Sequence, residues 1–170
     1  MAMVTARQVI DATPLRKNLD TAYIDTIIVP TQLGVLRDIM CPEMYDYAIA
    51  NSWMVDGVTA SGLDSVAATL MTDYVAPFLH WQCANEALPY VRTSVANNGL
   101  FSGLPTQTQS ASAPQANALA DEIQSTASMY RRLLSAYLED NKDEAVFELY
   151  SSNCGCKTDN SIFKTFKLII

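Results

Sequence analysis

Between residues 63 and 78 the apolar side chains fall at Leu63, Val66, Ala67, Leu70, Met71, Tyr74, Val75 and Phe78. This is the i, i+3, i+4, i+7 pattern of a helix with one buried face, carried through twice. Ser61-Gly-Leu-Asp64 just before it has the form of a capping box, in the weaker version that ends in Asp. Beyond Pro77 the stripe continues through Trp81, Ala84, Leu88, Val91 and Val95 to Asn98-Gly99, a helix-closing pair. Two stacked helical pieces, joined at a proline kink or a short break, are expected to organise an all-α fold.

The flanking segments repeat the helical period. Asp20 is an N-cap candidate ahead of Tyr23, Ile24, Ile27 and Ile28. Pro30 either kinks this helix or opens the next at its first turn, where a missing N–H costs nothing. Leu33, Leu36, Arg37 and Met40 carry the period to Cys41-Pro42, and residues 43–51 form a short helix with Met44, Tyr45, Tyr47, Ala48 and Ile49. Pro114 opens a later helix with the stripe Leu119, Ile123, Thr126, Tyr130, Leu133 and Tyr137. Asn141-Lys-Asp-Glu144 starts a last one carrying Val146, Leu149 and Tyr150 on one face. Residues 4–17 are ambiguous and break at Thr13-Pro14. The expected fold is a small bundle of about five to six helices.

Two segments do not fit that pattern. Residues 100–113 are Ser/Thr/Gln-rich, aperiodic and nearly uncharged, which predicts a long polar loop. Residues 161–170, Ser-Ile-Phe-Lys-Thr-Phe-Lys-Leu-Ile-Ile, are β-branched and aromatic with partial alternation. Nothing else in the chain suggests a strand, so this extended tail is expected to pair with a neighbouring chain. The organisation is thus a helical domain, 1–153, and a C-terminal arm, 154–170. Phe163, Lys164, Phe166, Lys167, Leu168 and Ile169, with Phe101 and Leu104 of the loop, are the candidate partner-binding residues, because an end this apolar is a liability if left free.

With 49% apolar residues in a chain of 170, a core is easily supplied, and one domain is expected. The net charge of −7 is unevenly spread. Residues 154–170 carry Lys157, Lys164 and Lys167 against Asp159, which is +2, leaving −9 on residues 1–153. So acidic a body opposes sequence-independent DNA binding, whereas a basic arm suits an acidic partner, including a second copy. The longest apolar stretch, residues 74–81, is far short of the ~20 residues of a membrane span, and no basic-then-apolar leader opens the chain. Four cysteines do not make a disulfide scaffold here, so a reducing compartment is expected.

No Walker loop, GxGxxG, HExxH or GxSxG is present, and His80 is the single histidine. Neither an enzyme nor a bound cofactor is expected. The one metal-like set is His80 and Cys83, spaced i, i+3, with Cys154-Gly-Cys156, which would offer tetrahedral zinc four ligands if the tail folded back. Against it stands Cys83 as a small buried hydrophobe and His80 as a satisfied or surface imidazole. A helical binding or regulatory module using that zinc site is the alternative function. The acids Glu139, Asp140, Asp143, Glu144 and Glu148 lack the glycine turn of a calcium loop and suit a solvated helix junction. Trp53, Trp81, Tyr45, Tyr47 and Tyr74 follow the apolar stripes and suit packing rather than base stacking.

Three segments resemble the small helical head-to-tail connector (adaptor or neck-ring) proteins of tailed bacteriophages, especially the crAss-like phages. They are Ala22-Tyr-Ile-Asp-Thr-Ile-Ile28 leading into Leu36-Arg-Asp-Ile-Met-Cys-Pro-Glu-Met-Tyr45; Asp73-Tyr-Val-Ala-Pro-Phe78 running to Val95-Ala-Asn-Asn-Gly-Leu100; and Tyr137-Leu138 followed by Asn141. Cys41-Pro42 stands where that family tends to have a glycine turn. The resemblance implies a virion structural protein, assembled in the host bacterial cytoplasm and docking beneath the portal as a ring of about twelve copies. It also implies that other neck and tail proteins are partners, that DNA passes through the lumen without specific binding, and that no membrane, catalytic residue or cofactor is involved. An acidic lumen would repel passing DNA rather than grip it.

Overall fold

The computed structural model describes residues 1–15, 20–99 and 113–150. Among them are five continuous helices and one two-stranded hairpin, the all-α class that the periodicity predicts. The first helix, α1 (Ala6–Ala12), begins in a stretch that looked ambiguous. Its start is a full capping box: Thr5 Oγ1 accepts the Gln8 N–H at 3.3 Å, and Gln8 Oε1 accepts the Thr5 N–H at 2.9 Å. Thr13 closes it by donating its hydroxyl to the Val9 carbonyl at 2.7 Å.

Asp20 caps α2 (Thr21–Thr31) as expected, its carboxylate accepting the Ala22 N–H at 2.9 Å. Pro30 lies inside α2 and opens no helix of its own. The chain instead widens into a π-helical stretch, Gln32–Leu36, where the Arg37 N–H reaches the Gln32 carbonyl, and resumes as α3 (Arg37–Met40). Cys41 then takes φ 74°, which turns the chain, and Pro42 fills the first position of α4 (Pro42–Ala50).

The long central stripe uses the same device. Asp64, not Ser61, is the N-cap of α5 (Ser65–Thr69), accepting the Val66 N–H at 2.8 Å. Gly62, at φ 94°, turns the chain between the two, so no helix can run from Ser61. A second π-helical stretch, Leu70–Val75, leads into α6 (Ala76–Gly99), with the Ala76 N–H bonded to the Met71 carbonyl. The wide turn makes room for the Pro77 ring, which an unbroken α ladder would press onto the Asp73 carbonyl. The join at Pro77 is therefore a widened turn within one helix.

The expectation that the body holds no strand is corrected. Met54–Val55 (β1) and Val58–Thr59 (β2) pair antiparallel, Met54 opposite Thr59 and Val55 opposite Val58. Asp56 and Gly57 between them have φ 51° and 81°, both left-handed, as a type I′ turn requires. The turn also holds the N-terminus: the Asp56 N–H donates to the Ala2 carbonyl at 3.2 Å and the Gly57 N–H to the Met3 carbonyl at 2.7 Å.

Helix α6 is the centre of the core, with α1, α2 and α7 (Ala113–Asp140) packed on it. Phe78, Leu79, Cys83, Ala84 and Ala87 are all buried along it. On α7 the buried positions are Ile123, Ala127, Leu134 and Leu138, with Leu119, Tyr130 and Tyr137 packed against them. The predicted stripe is therefore shifted: Leu133 is 45% exposed and outside the core. The rotation suits Tyr137, which stacks on Tyr74 at 4.3 Å and donates its hydroxyl to the Val66 carbonyl at 3.0 Å.

After α7 the expected last α-helix is a 3-10 turn, Ala145–Phe147. Asn141 ends α7 rather than starting that turn, its Nδ2 donating to the Tyr137 carbonyl at 2.8 Å. With three residues per turn, Phe147 and Tyr150 share the buried face and Leu149 points outward, 41% exposed. Ala113, read as the last residue of the polar loop, is the first of α7; the rest of the loop and the arm 154–170 lie outside the described residues.

Candidate functional site

Helix α2 is apolar on both faces. Ile24, Ile27, Ile28 and Thr31 are buried inward, each isoleucine contributing about 1.5–3 kcal/mol of burial. At 3.6 residues per turn the opposite face carries Ala22, Thr26, Val29 and, past the wide turn, Leu33. All four are exposed, Val29 at 39% and Leu33 at 56%, and Pro30 and Gly34 extend the face. A helix lying on a protein surface ordinarily turns charges outward, whereas one apolar all round is covered. On the outer side of α2 the one charge within the helix is Asp25, at the edge of this face.

A second such surface runs along α7. Thr126, Met129, Leu133 and Ala136 form a ridge beside the buried stripe, with Met129 and Leu133 at 40% and 45% exposed. Glu122 and Asp140 mark its ends, and Arg132 lies alongside. Arg132 and Asp25 have no ion-pair partner among the described residues, where the pairs are Arg7–Asp11, Arg37–Asp46 and Lys142–Glu139. Sequence reasoning placed Leu133 in the core and passed over the outer side of α2. The signal for both was a surplus: each helix holds more apolar positions than one buried face can use.

Between α6 and α7 lies an open cleft of about 660 Å³, lined by Asn85, Leu88, Pro89, Asn117, Ala120, Asp121 and Gln124. Its polar groups are amides and one carboxylate, which do not amount to a nucleophile with an adjacent base.

Of the zinc candidates, His80 and Cys83 lie one turn apart on α6, and Cys154 and Cys156 lie outside the described residues. Cys83 is fully buried as a free thiol. Burial pushes that thiol up to about 12, although a hydrogen bond with Thr31 opposes the shift. A thiol held protonated in apolar surroundings packs as a small hydrophobe. His80 is half-buried, its Nε2 is buried without a hydrogen-bond partner, and burial lowers its pKa. Among the described residues no group of three or more His, Cys, Asp or Glu side chains could hold a metal ion, and no helix is long and apolar enough to cross a membrane. Cys41 is disulfide-bonded. Glu139 of the acidic cluster pairs with Lys142 at 2.6 Å, as a solvated junction would.

The partner-binding candidates Phe101, Leu104, Phe163, Lys164, Phe166, Lys167, Leu168 and Ile169 all lie outside the described residues. The surfaces the structure does define are the outer side of α2 and the ridge on α7.

These features define an all-α protein organised round a central helix, with apolar surface left over on two of its outer helices. The chain belongs to the family of unknown function DUF6712, whose model matches residues 36–160. No curated protein and no solved structure matches it.

Proposed function

We propose that this chain is a structural virion protein that forms a ring between the portal and the tail of a tailed phage, extending the DNA channel and docking tail components. The observation that carries this reading is the outer side of α2: Val29 and Leu33 face solvent on a helix whose other side is already core. Surface of this kind is finished by association. The resemblance of residues 20–51, 66–101 and 129–156 to neck-ring proteins supplies the kind of assembly, and the acidic body supplies a channel wall that does not hold DNA. The loop around Phe101 and Leu104 and the arm bearing Phe163, Lys164, Phe166 and Lys167 reach the portal, the tail components or neighbouring copies.

Deleting residues 157–170 tests the arm's part in this. The truncated protein is expected to lose most of its affinity for portal complexes while its helical circular dichroism stays unchanged. Unchanged affinity would remove the arm from the docking surface.

A further inference from the structure

We propose that copies of this chain associate head to tail, the outer side of α2 in one copy packing on the Met129–Leu133 ridge of α7 in the next. This rests on the ring reading and names the two surfaces that would build the ring. The first ground is placement. On α6, Cys83 is hydrogen-bonded with Thr31 of α2, whereas Asn85 and Leu88 line the cleft shared with α7. Those positions project roughly half a turn apart at 3.6 residues per turn, so α2 and α7 flank α6 on opposite sides. Two different sticky surfaces on opposite flanks are what a heterologous contact needs, and such a contact builds a ring when the rotation from copy to copy closes.

The second ground is fit. From Ala22 to Leu33 the outer side of α2 spans about 16 Å, and from Thr126 to Ala136 the ridge spans about 15 Å, at 1.5 Å per residue. The third is charge. Asp25 edges the α2 face and Arg132 edges the ridge, and neither makes an ion pair among the described residues. Packed antiparallel with their midpoints aligned, α2 and the ridge bring Asp25 beside Arg132 and leave Glu122 and Asp140 toward the ends of the contact. Pairing ridge with ridge would set Arg132 beside its own copy, and pairing α2 with α2 would leave both Asp25 carboxylates without a cation, arrangements that complementary interfaces avoid.

The test uses the full chain in two mass-tagged populations, one carrying Leu33→Cys and the other Leu133→Cys, mixed at high concentration with a short bismaleimide. The parent chain, treated identically, sets the background of its own thiols. Cross-tag dimers severalfold above either population alone are expected. Asp25→Arg and Arg132→Asp should each weaken association severalfold, and the double swap should restore it. Rings that form with linkage only between like positions, with no linkage above background, or with Leu33→Cys linked to its own residues 151–170, overturn this pairing and leave the ring reading standing. A chain that stays monomeric at every concentration, alone and with the portal, overturns both.

Discussion

The side-chain amide of Gln32 accepts the backbone N–H of Met3 at 2.9 Å, a bond that spans 29 residues and lies wholly inside the core. The same amide donates to the Tyr45 hydroxyl at 3.4 Å. Gln32 thus ties the N-terminal segment, the π-helical stretch and α4 together at one buried point, with no exposed surface of its own. Gln32→Leu leaves the Met3 N–H without an acceptor in apolar surroundings. A loss of about 1–3 kcal/mol in urea-derived unfolding free energy is expected, with the slope of the transition unchanged.

The glycines separate two kinds of cost. Gly57 and Gly62 both have positive φ, 81° and 94°. A Cβ at Gly62 meets open space, whereas one at Gly57 would collide with the end of the Gln8 side chain. Gln8 can move aside, but only by giving up the Thr5 capping box and its bond to the Asp56 carbonyl. Gly62→Ala is expected to cost about 1 kcal/mol of backbone strain. Gly57→Ala should cost clearly more, which paired thermal melts would show.

Tyr137→Phe keeps the ring stacked on Tyr74 and removes only the hydroxyl bonded to the Val66 carbonyl. A loss of about 1 kcal/mol is expected. In a chemical-denaturation series, an unchanged midpoint would show that water replaces this bond without cost.

His80 makes folding pH-dependent. Burial favours its neutral form and lowers its folded pKa below the unfolded value of about 6.5, so the unfolded chain binds the proton more readily. Its contribution is fully present above that unfolded value and is lost as pH falls through the lowered folded one. Stability should decline as pH falls below about 6.5, above the range where free carboxylates titrate. The His80→Gln variant should flatten that part of the curve; identical curves for the two proteins would assign the decline to other groups.

The sequence carried the backbone of this fold unevenly. The stripe from Leu63 to Phe78 determined α5 and α6, and Asp20 determined where α2 starts, because periodicity and capping are local. Val55-Asp-Gly-Val58 and Thr5-Ala-Arg-Gln8 were equally local signals, a hairpin turn and a capping box, too short to register among long helices. The rotation of α7 was not local at all. Its apolar band is wide enough to fit two settings, and contacts of Tyr137 with Tyr74 and Val66, residues more than sixty positions away, select between them. For the same reason the candidate surfaces were only half readable: composition shows that α2 has surplus apolar residues, but only packing shows which of them face outward.

The central claim is that this chain finishes its surface by assembling. Native mass measurement of the chain, alone and mixed with the portal protein that the proposed neck-ring role requires, tests it directly. Closed oligomers of one defined copy number are expected, either in the free protein or once the portal is added. A protein that remains monomeric and unbound in both conditions would contradict the claim.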